Sequence, residues 1–297
     1  MKQRQVTIAL AAGVMLLCSF SSFAQEKTKD VTLYQGGEAY AVKSFPSSFV
    51  NKTPKNVILF IGDGIGVSQL FAGLTANRGS LFIENCKYIG FSKTSSADRY
   101  VTDSAAGATA ISTGTKTYNG AIGVGPDKNP IKTILEEASE QGKATGLVST
   151  SSITHATPAS FIAHQPSRSQ EEDIATDFLK TDIDVFIGGG YDFFANRADG
   201  RNLLHDLVRK GYAVERELSG IENFKGKKLA GLTAPKGNPR VSERGNMLPV
   251  STQTAIRVLQ QNEKGFFLMV EGSFIDSGCH GNNTVQVVEE VLDFVQA

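Results

Sequence analysis

Asn56-Val-Ile-Leu-Phe-Ile-Gly-Asp-Gly64 joins a short, nearly continuous apolar run to an acidic side chain set between two glycines. A run of that length without polar alternation predicts a strand buried on both faces, as in a parallel sheet. Ala144-Thr-Gly-Leu-Val-Ser149, Asp184-Val-Phe-Ile187 and Gly265-Phe-Phe-Leu-Met-Val270 share the pattern. Residues 131–141, 170–180, 202–210, 252–262 and 284–296 carry apolar positions at helical spacing, and Gly142 offers a C-cap to the first. Strands alternating with helices predict an α/β fold, a mostly parallel central sheet with helices on both faces. Residues 220–245, rich in Gly, Lys and Pro, read as a surface excursion rather than a linker.

The chain has 297 residues, 40% of them hydrophobic, ample for a substantial core. Residues 1–24 read as a secretory signal peptide, with Lys2 and Arg4 before an apolar run over 8–20 and a Ser22-Phe23-Ala24 cleavage site. That run is short for a membrane span, no later stretch is long enough, and Leu17 before Cys18 argues against lipidation. An exported protein, periplasmic or secreted, with no membrane span in the mature chain is expected. Cleavage removes Lys2 and Arg4 and leaves 28 basic against 30 acidic residues, a net −2. Nothing in that balance favours nucleic-acid-specific binding or a polybasic membrane contact. Cys86 and Cys279 remain, which is no disulfide framework.

In open parallel sheets, ligands bind beyond the carboxyl ends of the strands. Asp63 follows the first predicted strand, His155 and Thr157 come shortly after the second, and Glu271 directly follows the last. Oxygen-rich sets of this kind suit hard cations such as Mg2+. The Gly62-Asp63-Gly64-Ile65-Gly66 stretch lacks dinucleotide-loop spacing, and its carboxylate would repel a pyrophosphate. A strand-end carboxylate with glycines that let a metal approach fits better; the plainer alternative is an Asx turn.

Three further segments carry chemistry. In Val101-Thr-Asp-Ser-Ala-Ala-Gly-Ala-Thr-Ala110, small residues suit a tight turn into a closely packed helix with Ser104 near its N-terminus. Free N–H groups and the helix dipole there favour an anion, so Ser104 is a candidate nucleophile towards phosphate; an ordinary Asp or Ser N-cap is the alternative. In Glu271-Gly-Ser-Phe-Ile-Asp276-Ser-Gly-Cys-His280, Asp276 and His280 share a helical face and could bind one zinc, or simply face solvent. Cys279 would then point elsewhere, as a small buried residue. Thr154-His155-Ala-Thr157-Pro-Ala either contributes to the cation set or is a helix start, with Thr157 as cap and Pro158 first. Arg168 is the natural bidentate partner for a phosphate. His164 and His205 suggest no role.

Taken in order, these segments resemble the alkaline phosphatase family from about Asn56 onward. The resemblance implies hydrolysis of phosphate monoesters through a phosphoserine, using two zinc ions and one magnesium ion. Ser104 would be the nucleophile on the second zinc and Asp63 would bridge that zinc and the magnesium. Thr157 and Glu271 would complete the magnesium site beside His155, whose presence leaves the third metal's identity open. Asp276 and His280 would bind the first zinc, Arg168 would clamp the phosphate, and a homodimer is possible. The family pattern continues with a buried strand ending in an Asp-His zinc pair and a further histidine, whereas this sequence stops at Ala297 after a helical segment. The expectation is a C-terminally truncated form, with residues 25–55 an N-terminal extension and 56–297 an incomplete α/β domain lacking the C-terminal part of its sheet. Incomplete zinc sites, little activity and an unpaired sheet edge prone to aggregation follow. Ser277 stands where several members have Lys or His, leaving less positive charge near the substrate. A sulfatase of the superfamily needs Pro and Arg where Ala106 and Ala108 stand. A phosphodiesterase, or a non-catalytic metal- or phosphate-binding protein, remains the alternative.

Overall fold

Among the described residues, six strands form one sheet in which every pairing is parallel. They are β1 (Val57–Gly62), β2 (Ala144–Ser152), β3 (Val185–Gly189), β4 (Ala213–Glu215), β5 (Leu229–Leu232) and β6 (Phe266–Gly272), in the spatial order β1-β6-β2-β3-β5-β4. The computed structural model describes residues 34, 36–45 and 53–297. The expected signal peptide and most of the expected extension lie outside the described residues. Everything below belongs to the unit Gln35–Ala297. Among the described residues no helix is long and apolar enough to cross a membrane.

Parallel neighbours need crossovers, and helices supply them. Before β2 come α1 (Val67–Ala76), α2 (Ser104–Thr113) and α3 (Ile134–Glu140). Between β2 and β5 come α4 (Ala156–Ala159), α5 (Glu171–Asp177), α6 (Tyr191–Ala195), α7 (Leu203–Arg209) and α8 (Leu218–Asn223). Then follow α9 (Val241–Arg244), α10 (Met247–Leu259), α11 (Phe274–His280) and α12 (Thr284–Gln296).

The two faces of the sheet separate the core by strand alternation. Phe267, Met269, Leu147 and Phe186 join Leu135, Phe161, Phe178 and Phe194 on one face. Phe266, Leu268, Val270, Val148, Val185 and Ile187 join Val258, Ile275, Val291 and Phe294 on the other. The expected α/β architecture with helices on both faces is what the chain forms.

Three local expectations are corrected. β1 is not buried on both faces: among the described residues it is an edge strand paired only with β6, and Val57, Ile58 and Phe60 are 39–44% exposed. Second, the Gly-, Lys- and Pro-rich stretch at 220–245 is not all surface. It contains β5, wholly buried between β3 and β4. Its four residues, Leu-Ala-Gly-Leu, are too few to stand out against their polar flanks. Third, the helix expected at 252–262 starts at Met247, because Pro249 falls in its first turn, where its missing N–H is no loss.

Candidate active site

Gly62 ends β1 and places Asp63 at the carboxyl edge of the sheet, where the Asp63 N–H donates to Gly272 O of β6 (3.2 Å). Gly64 has a φ of +69°, and a Cβ there would sit 2.7 Å from Asp276 Cα. The glycine therefore makes room for α11. Asp276 is thereby brought beside Asp63, whose carboxyl pKa is raised by burial and by the Asp276 charge, against the Ser104 hydrogen bond that lowers it.

Ser104 is the first residue of α2. Its hydroxyl donates to Asp63 Oδ2 at 2.9 Å. The cap is Asp103, not Ser104: Asp103 Oδ1 accepts from Ala106 N–H (2.9 Å). Buried Ala105, Ala106 and Ala108 let α2 pack closely, and Ser112 Oγ donates to Ser160 O just beyond α4 at 2.6 Å. These contacts fix the serine at the start of a rigid helix.

Asp103 also accepts from Arg168 through Oδ2 (3.2 Å), and the other Arg168 terminal nitrogen lies 2.9 Å from His155 Nε2. Burial, then the Arg168 charge, lowers the His155 pKa to about 4, so the imidazole is neutral, and its Nδ1 is buried without a partner. His155 is the N-cap position of α4, so Thr157 lies inside that helix and does not cap it.

Glu271, at the end of β6, is 0% exposed. Burial foremost, then the Asp63 charge, raises its pKa to about 7, while the hydroxyls of Ser149 and Thr157 pull the other way. Ser149 Oγ donates to Glu271 Oε2 at 2.5 Å, and Glu271 Oε1 has no hydrogen-bond partner. Asp276 and His280 do share a face of α11, with His280 Nε2 3.4 Å from Asp276 Oδ2. Cys279 points away, its Sγ accepting from Gln69 Nε2 at 3.3 Å, and is half-buried.

Asp63, Ser104, His155, Thr157, Arg168, Asp276 and His280 therefore line one cleft of about 850 Å3, with Glu271 buried beside it. His164 and His205 do not. His164 is held by Gly123 O (2.7 Å) and Glu136 (2.9 Å), and His205 is on the surface of α7.

Crowded acidic groups with orphaned atoms are what a hard cation would relieve, and Asp63, Thr157 and Glu271 fit magnesium as oxygen donors. The zinc sets are right in kind but small. Asp63 with Ser104, and Asp276 with His280, each give two of the three protein ligands that catalytic zinc normally takes. Among the described residues no three His, Cys, Asp or Glu side chains form a ready cage.

Sequence reasoning offered Asp103 only as a cap, and missed two further residues of the cleft region, Ser149 and Lys236. Asp103 both caps α2 and holds Arg168, and Ser149 holds Glu271. Lys236 lines the cleft from a loop tied to the end of β3 by Gly190 N–H to Lys236 O at 2.7 Å. Its position within the glycine- and lysine-rich stretch hid it.

A serine and a cluster of acidic side chains thus sit together at the carboxyl edge of a parallel α/β sheet. The family model described as alkaline phosphatase matches residues 54–297, and the chain belongs to the alkaline phosphatase family. Alkaline phosphatases 4 and 3 of Bacillus subtilis are 42% and 44% identical to it. Each match covers 82% of this chain and 56% of the relative, so the chain spans little more than half the length of these relatives. The solved alkaline phosphatase from the Antarctic bacterium TAB5 is 44% identical with a TM-score of 0.79, covering 83% of this chain and 73% of that one. A mutant of that enzyme has been solved with Mg bound in its M3 site.

Proposed function

We propose that this chain carries the catalytic serine region of an exported phosphomonoesterase and transfers the phosphoryl group of a small phosphate monoester to Ser104. The carrying observation is the Ser104 hydroxyl at the N-terminus of α2, 2.9 Å from Asp63 Oδ2, in one cleft with Arg168. The hydrogen bond to Asp63 fixes the hydroxyl rotor and leaves an oxygen lone pair free towards the cleft. The N-terminus of α2 favours the anionic phosphoryl group, and Arg168 holds its oxygens. The Ser104 Oγ–P bond forms as the ester P–O bond breaks, and the serine proton balances the departing alkoxide. Water then cleaves the phosphoserine, releasing phosphate and restoring the hydroxyl.

Divalent cations, when bound, supply positive charge to the transferring group and make an oxygen a better nucleophile. Asp63, Thr157 and Glu271, with His155 alongside, would hold magnesium; Asp63 and Ser104, and Asp276 and His280, would contribute to two zinc sites. Residues 56–297 form the catalytic region in this reading. Residues 1–24 direct export to the periplasm or medium, and a homodimer is the expected assembly.

The test is release of p-nitrophenol from p-nitrophenyl phosphate in zinc and magnesium, for the chain and for Ser104→Ala. The reading predicts slow, metal-dependent release that Ser104→Ala abolishes. Release unchanged in Ser104→Ala removes Ser104 as the nucleophile.

A further inference from the structure

β2 changes character along its length. A central strand of a parallel sheet is expected to be apolar throughout. Its first half, Ala144-Thr-Gly-Leu-Val148, carries one hydroxyl, on Thr145. Its second half is Ser149-Thr-Ser-Ser152, four hydroxyl residues that are all at most 6% exposed. Buried hydroxyls need partners, and two of these chains of hydroxyls end on carboxylates. Ser152 Oγ meets Thr154 Oγ1 at 2.5 Å, and Thr154 Oγ1 donates to Glu171 Oε2 at 2.7 Å. Ser149 Oγ donates to Glu271 Oε2 at 2.5 Å.

The Ser149 hydroxyl has little choice of direction. Its oxygen accepts from the Ser151 N–H at 3.0 Å and lies 2.9 Å from Ser151 Oγ. Ser151 Oγ itself donates to Ser152 O at 3.2 Å, and the Ser149 hydrogen goes to Glu271 Oε2 at 2.5 Å. The second carboxylate oxygen, Oε1, is the one without a partner.

We infer that Ser149 is a positioning residue for Glu271: its buried hydroxyl ties down Oε2 and so presents Oε1 to a divalent cation. The inference rests on the reading of Glu271 as a magnesium ligand. Ser149 touches neither substrate nor metal in it. It acts by fixing the carboxylate, as outer partners of metal ligands do, where their loss weakens metal binding about 10–100-fold.

The experiment is calorimetric titration of the purified, metal-stripped chain with Mg2+ alone, for the unaltered chain, Glu271→Gln, Ser149→Ala and Ser151→Ala, with thermal midpoints in EDTA. Binding should disappear in Glu271→Gln and weaken about 10–100-fold in Ser149→Ala. Ser151→Ala, which only loosens the Ser149 hydroxyl, should weaken it less, and it keeps the inference testable if Ser149→Ala does not fold. If Ser149→Ala lowers the EDTA midpoint and leaves Mg2+ affinity unchanged, Ser149 is merely structural and the inference is overturned. Unchanged affinity in Ser151→Ala, where Ser149→Ala cannot be prepared, overturns it equally. Binding that survives Glu271→Gln, or is absent from the unaltered chain, overturns the magnesium reading as well.

Discussion

Replacing Gly64 by alanine separates two costs that coincide at the strand end. The first is conformational: an L-residue in the left-handed region loses about 1–2 kcal/mol. The second is local. The new Cβ would lie 2.7 Å from Asp276 Cα and 2.8 Å from Asp276 Oδ1, and the backbone of α11 must shift. Overpacking of that kind adds about 1–3 kcal/mol. Gly200 is the internal control, with a φ of +73° and nothing within 4 Å of the place a Cβ would take. Gly200→Ala should therefore lose only the first cost, and Gly64→Ala about 2–5 kcal/mol in all. Both substitutions restrict the unfolded chain alike, so that contribution cancels in the comparison. Urea unfolding followed by far-UV circular dichroism reads the difference. Since α11 carries Asp276 and His280, zinc affinity should also fall in Gly64→Ala and not in Gly200→Ala. Equal midpoints for the two variants would refute the claim that Gly64 is kept for the approach of α11.

Three more outcomes follow from contacts elsewhere in the fold. Burial lowers the His164 pKa, but the hydrogen bonds to Glu136 and Gly123 O outweigh it and leave it raised, while the Glu136 pKa is lowered by that same His164 bond against its burial. The His164 contribution is thus fully present below its unfolded pKa of about 6.5 and lost as pH rises through the raised folded value; the Glu136 contribution is lost as pH falls through the depressed one. Urea midpoints of His164→Gln should therefore lack the decline above about pH 6.5. Arg244, with its side chain 2% exposed, pairs with Glu290 and Asp293 and ties α9 to α12. Arg244→Met should cost about 3–5 kcal/mol by leaving buried carboxylates unpaired. Burial already raises the Asp293 pKa to about 6, so ionising it opposes folding and the loss should be larger at alkaline than at acid pH. Val57→Lys, on the free edge of β1 where Val57 is 44% exposed, should lower concentration-dependent association seen by light scattering.

The sheet was legible because β6 and β3 are apolar on consecutive residues, and both faces of a central strand are covered. The same signal overstated β1, since composition does not say how many neighbours a strand has among the described residues. β5 was invisible because burial there comes from its neighbours, not from its own four residues. In the site, Asp63, Ser104, Asp276 and His280 were legible from motif and spacing, Gly64 less so, because its role is a tertiary approach across more than two hundred residues. The Asp103–Arg168 pair and the Ser149–Glu271 bond join segments far apart in sequence, and short polar side chains carry no periodicity to announce such partners.

The central claim is that Ser104 Oγ accepts the phosphoryl group. The chain, incubated with a phosphate monoester in zinc and magnesium and quenched in acid, is digested and its peptides are read by mass spectrometry. The account predicts one added phosphoryl group on Ser104, lost in Ser104→Ala. A monoester hydrolysed with Ser104 unmodified and Ser104→Ala equally active would contradict it.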